Sequence, residues 1–165
     1  RGIHLAVEAF ELFAKDFPDT RLLIVGGGGQ PDYIAEIRRR IEFRGLTETV
    51  LFHGPVPHDE LPAFYSSSHM TLIPTLCGEG TSLAALESMA CGTATICTDV
   101  AGLKDLPGPH ARPTPVGLAE VMREMYPKRQ RLGEEQQRLV LARYSLEHWW
   151  RAWQAALDRV AKGEA

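Results

Sequence analysis

The chain has 165 residues, 44% of them hydrophobic and 24% charged, with a formal net charge of −3. That length is enough for one domain with a core of its own, and those fractions suit a soluble globular fold. The charge excludes a broad nucleic-acid footprint, and no apolar run reaches the length of a membrane span.

Residues 2–16 place Ile3, Leu5, Ala6, Ala9, Phe10 and Phe13 at helical spacing, and Pro18-Asp19 ends that helix. The run RLLIV reads as a buried strand. A helix over 31–44 opens at Pro31 and stops at Gly45. Its Arg38-Arg39-Arg40 run, with Arg44, is the only basic cluster and reads as a solvated helix face. TVLFHG is the next strand, HDELPAFYSSS a short helix, MTLIP a third strand and TATICT a fourth. Between the last two lies an apolar helix closed by Gly92. A Pro/Gly-rich passage follows, with a short edge strand near 111–114, then helices near 116–125, 131–143 and 145–162. In the last helix Trp149, Trp153 and Leu157 recur every four residues, forming one apolar stripe. Cys77, Cys91 and Cys97 lack CxxC spacing, which favours reduced thiols in a cytoplasmic protein over a disulfide frame or a zinc site.

Apolar strands alternating with helices predict a doubly wound parallel sheet in a three-layer α/β/α, Rossmann-like domain. Ligands of such folds bind beyond the carboxyl ends of the strands. Those ends carry Gly26–Gly29, His53–Val56, Pro74–Ser82 and Thr98–Gly102. Gly26, Gly27 and Gly28 allow close approach of a ligand's phosphates. A dinucleotide fingerprint fails there, because its third glycine would fall at Pro31; Glu48 at the spacing of a ribose-binding acid adds little.

A second motif carries more chemistry. In GEGTSLAALE, Gly80, Thr81, Ser82 and Leu83 open a helix, and Thr81 or Ser82 can cap it. The free amides and the helix dipole make an anion site fit for a diphosphate. Glu79 precedes the helix and Glu87 lies within it. Eight residues of α-helix rotate by about 80° net, so both carboxylates can face one cleft. Ionised carboxylates accept hydrogen bonds and donate none, which suits sugar and ribose hydroxyls. The alternative makes Glu79 a loop charge and Glu87 a buried, paired structural acid.

The segment GEGTSLAALESMACGTATICTDVAGL resembles the E-x7-E segment of retaining glycosyltransferases of the group 1, or family 4, type, which have the two-domain GT-B architecture. RGIHLAVEAF, LLIVGGGG and VLFHGPVPHDELPAFYSSSHMTLIPT resemble further family segments in the same order. The likeness is dense over residues 1 to about 102 and loose beyond. It implies that residues 1–165 are the nucleotide-sugar-binding, C-terminal half of such an enzyme. On this reading Glu79 contacts the transferred sugar and is the catalytic candidate, and Glu87 holds the ribose. Gly80, Thr81, Ser82 and Leu83 face the diphosphate, and Val56 lies beside the base. Arg1 stands where the family has a phosphate-binding lysine.

The resemblance further implies metal-independent transfer from a nucleoside-diphosphate sugar, with no cofactor. The acceptor, a glycan, lipid or small molecule, would be held by an N-terminal domain outside this sequence. A cytoplasmic location is implied, with the membrane surface left open. The family domain's first strand is expected upstream of Arg1. The final helix is expected to contact the missing domain, leaving part of Trp149, Trp150 or Trp153 exposed. A nucleotide-sugar epimerase or hydrolase of the same architecture is the alternative, as is a non-catalytic nucleotide-binding module. Thr81-Ser82 in place of Phe-Gly, and Thr95 in place of Pro, are departures from the family pattern.

Overall fold

The computed structural model describes residues 2–27 and 29–163. Elements follow the expected alternation: α1 (Ile3–Phe13), β1 (Leu22–Val25), α2 (Pro31–Phe43), β2 (Val50–Gly54), α3 (Leu61–Ser67), β3 (Met70–Ile73), α4 (Leu83–Ala90) and β4 (Ala94–Thr98). After a 3-10 turn at Ala101–Asp105 come β5 (His110–Ala111), α5 (Pro115–Met125), α6 (Arg129–Arg143) and α7 (Leu146–Ala161). The edge strand near 111–114 is thus two residues long and one residue earlier.

All strand pairs are parallel, but they form two groups among the described residues: β1 with β2, and β3-β4-β5. The expected parallel α/β architecture is present, with its strands in these two groups. Period-two alternation explains how each group is covered. Leu22, Ile24, Val50, Phe52, Met70, Leu72 and Ile96 point to one side, onto a core built with α1, α2 and α5. Ile73 and Cys97 point to the other, where Ala85 and Met89 of α4 and Val140 of α6 meet them. The β3-β4-β5 group is therefore covered on both faces, and every residue of β4 is buried.

RLLIV is not the fully buried strand expected. Leu23 and Val25 are exposed, as is Leu51 of β2, because α4 and α6 cover the far face only over β3-β4-β5. The start of α1 lies at the carboxyl end of β3: a Cβ on Gly2 would fall 1.8 Å from the Pro74 carbonyl oxygen.

Thr95, where the family pattern has proline, sits inside the buried strand β4. Its N–H donates to Gln136 Oε1 at 2.8 Å and its hydroxyl to Ser88 Oγ at 2.9 Å. Gln136 in turn donates to the carbonyls of Thr95 (2.8 Å) and Pro107 (2.9 Å), so α6 is keyed to β4 through one buried amide. At the far end, α7 has no buried residue, and Trp149, Trp150 and Trp153 are each more than half exposed. The expected exposed tryptophan stripe is present. No described helix is long and apolar enough to cross a membrane.

Candidate functional site

Between β3 and α4 the chain turns through Gly78–Ser82. Of the two candidate caps Ser82 fills the role: its Oγ accepts from the Ala85 N–H at 3.4 Å, while Thr81 is exposed. Leu83 is the first residue of α4 and is largely exposed. The amides of Leu83 and Ala84 precede any intrahelical acceptor, so the positive end of α4 opens at the Gly80–Leu83 turn. The Ser82 hydroxyl is turned back into its own helix, which leaves the backbone as what this residue can offer a ligand.

Glu79 is held by the neighbouring strand ends. Thr75 Oγ1 donates to Glu79 Oε2 at 3.4 Å. Thr98, the last residue of β4, donates from its hydroxyl to the Thr75 carbonyl at 2.5 Å. The Gly102 N–H donates to the Glu79 carbonyl at 3.0 Å. That approach requires glycine, since a Cβ on Gly102 would lie 2.9 Å from both the carbonyl carbon and oxygen of Gly80. Beside it Ala101 has φ 45, a left-handed conformation that costs an alanine about 1–2 kcal/mol. Strain and close packing thus converge where the turn after β4 braces the turn after β3.

Glu87 stands one turn into α4. Its Oε2 accepts from the Tyr65 hydroxyl at 3.3 Å, and its Oε1 accepts from His58 Nε2 at 3.1 Å. Its side chain is 33% exposed, so Glu87 is paired yet open to solvent. Burial, followed by the Glu87 charge and hydrogen bond, pushes the Tyr65 phenol up from 10.0 to about 12. Tyr65 therefore remains a donor at neutral pH.

The remaining candidates divide. Val56 is half-buried in the β2–α3 loop, two residues before His58, the partner of Glu87. The Gly26 N–H donates to the Gly54 carbonyl at 2.8 Å, and a Cβ on Gly27 would lie 3.4 Å from Pro55. These two glycines pack on the β2 side, and among the described residues no hydrogen bond joins them to the α4 turn. Arg1 and Gly28 lie outside the described residues. Sequence reasoning missed Tyr65 and His58 as partners of Glu87. Both lie in HDELPAFY, but nothing local in that stretch points to an acid 22 and 29 residues away.

The sequence profile of the glycosyl transferases group 1 matches residues 1–113. The chain belongs to that family. Over 109 residues it is 35% identical to the D-inositol 3-phosphate glycosyltransferase of Acidothermus cellulolyticus, a match that takes in 62% of this chain and 24% of that protein. The chain thus spans about a quarter of the length of the curated relatives it matches. Among the solved structures that share the fold of this group 1 glycosyl transferase chain, two illustrate the likeness. The Anabaena Alr3699/HepE complex with UDP-glucose superposes with a TM-score of 0.83 at 19% identity, over 94% of this chain and 45% of that one. The C-terminal domain of the group 1 protein LpcC from Francisella tularensis gives 0.78 at 23% identity, over 88% and 80%. The parallel α/β architecture is therefore the Rossmann-like fold of glycosyltransferases.

Proposed function

We propose that this chain is the donor-binding half of a retaining, metal-independent glycosyltransferase that takes its sugar from a nucleoside diphosphate. The observation that carries the reading is the arrangement at α4. Glu79 precedes and Glu87 lies within a helix whose first amides have no intrahelical acceptor, and that helix starts beyond the carboxyl end of β3, where the turn after β4 is bonded to Glu79. Glu87 accepts hydrogen bonds from the ribose diol. The Gly80–Leu83 amides and the dipole of α4 offset charge on the diphosphate as it leaves. Glu79 accepts from hydroxyls of the transferred sugar, and its backbone is fixed for that by Gly102. Arg1 adds a cation to the diphosphate. The acceptor supplies the nucleophile and is held by a second domain, because transfer needs acceptor and donor side by side.

Three features support a larger whole. Relatives are about four times as long as the matched region. The tryptophan stripe on α7 is uncovered. The strands fall in two groups, and the start of α1 lies at the β3 carboxyl end. One more parallel strand in that position would lead into α1 and on to β1 by a right-handed crossover. Glu87→Gln tests the site in the chain as it stands. The amide keeps the shape of the acid but accepts more weakly and adds an unwanted donor. Affinity for UDP or GDP, titrated calorimetrically, is expected to fall by roughly 1.5–3 kcal/mol, the scale of hydrogen bonds to a charged group. Equal affinity with both proteins folded would remove Glu87 from the donor site.

A further inference from the structure

Resting on the reading of Glu87 as the ribose acceptor, we infer that His58 is a displaceable cover on that carboxylate, occupying Glu87 Oε1 until the ribose diol takes its place. The two partners of Glu87 differ in kind. Tyr65 comes from within α3, is half-buried, and donates to Oε2. His58 lies on the solvent side with its side chain 84% exposed and holds Oε1. A ligand arriving from solvent meets the imidazole first and the phenol last.

Displacement asks little of the backbone. His58 sits in a turn fixed by its own carbonyl, which accepts from the Leu61 N–H at 3.3 Å, and by Glu60 N–H donating to the Pro57 carbonyl at 3.1 Å. Only the imidazole has to change rotamer, between staggered positions open to solvent. An exposed hydrogen bond of this type is weak enough to yield to a ligand and strong enough to be measured. Tyr65 keeps its hold on Oε2 throughout, so the carboxylate stays oriented while Oε1 changes partner. The consequence is counter-intuitive for a polar residue at a binding site: removing it strengthens binding.

The test titrates UDP and GDP separately into the wild-type chain, and then the tighter of the two into His58→Ala, Glu87→Gln and the double variant. His58→Ala is expected to bind about two- to fivefold more tightly, the range set by an exposed pair. The gain is expected to vanish in the Glu87→Gln background, and with the 2′,3′-dideoxy form of the same nucleotide, since neither then competes for Oε1. A merely structural histidine would alter all of these titrations alike. Unchanged or weaker binding by His58→Ala, with Glu87→Gln weakened, overturns the inference and leaves the ribose reading standing. An unchanged Glu87→Gln overturns the ribose reading and the inference together, as does failure of both nucleotides to bind the wild type and His58→Ala.

Discussion

Replacing Gly102 with alanine separates a bracing role from a merely tolerant loop. The φ of Gly102 lies outside the left-handed region, so the alanine backbone is permitted and any effect must come from the added methyl. That methyl would stand 2.9 Å from the Gly80 carbonyl carbon and oxygen and 3.2 Å from the Glu79 carbonyl oxygen. All three are backbone atoms, so no rotamer change relieves them. Reaching ordinary contact requires the two turns to part by at least about half an ångström. The Gly102 N–H bond to the Glu79 carbonyl, now 3.0 Å, stretches with them. Overpacking costs about 1–3 kcal/mol in a well-packed core. Here Gly80 is exposed and can give way, so the low end applies, about 1 kcal/mol. For a chain of this size that lowers Tm by about 2–4 °C. The site consequence is larger than the stability loss, because Gly80 begins the turn proposed to face the diphosphate. Calorimetric titration with UDP and with uridine separates the parts: UDP affinity should fall while uridine affinity holds. A Gly102→Ala protein that melts and binds UDP like the wild type would refute the bracing argument.

Thr95→Pro, which restores the residue common in the family, should destabilise this chain. It removes the N–H that Gln136 Oε1 accepts and the hydroxyl bonded to Ser88. A loss of about 1–3 kcal/mol, the cost of an unsatisfied buried polar group, is expected in urea unfolding; an unchanged midpoint would contradict it. Alkaline pH should also destabilise the fold. Burial pushes the Cys97 thiol up from 9.0 to about 12, and Tyr65 likewise titrates at about 12. The folded chain therefore keeps protons that the unfolded chain releases. This stabilisation is complete below about pH 9 and is lost as pH rises towards 12, by up to about 1.4 kcal/mol per pH unit for Cys97 and less for the half-exposed Tyr65. Urea midpoints across that window, repeated with Cys97→Ala, should show a shallower fall in the variant; identical slopes would remove Cys97 as a source.

The alternation of apolar runs with helical periods was enough to determine the order and type of elements, since burial period is a local property of the chain. It also located the Gly80–Leu83 turn and both glutamates, because a glycine turn, a capping serine and two acids eight residues apart are visible within ten residues. What the sequence could not decide were matters of pairing across distance. RLLIV is apolar throughout, yet which of its faces finds a cover depends on where α4 and α6 land. Glu87 is at once the paired acid and the open acceptor that had seemed to be alternatives, because Tyr65 and His58 each bond one of its oxygens while its side chain stays partly exposed. Thr95 looked like a simple departure from the family pattern, and only its contact with Gln136, 41 residues on, gives it a partner. Gly102 matched the family motif, but its reason appears only where two turns from different strands approach within van der Waals distance. Local chemistry sets which groups a segment can offer, and the packing of the helices and strands selects which of them meet.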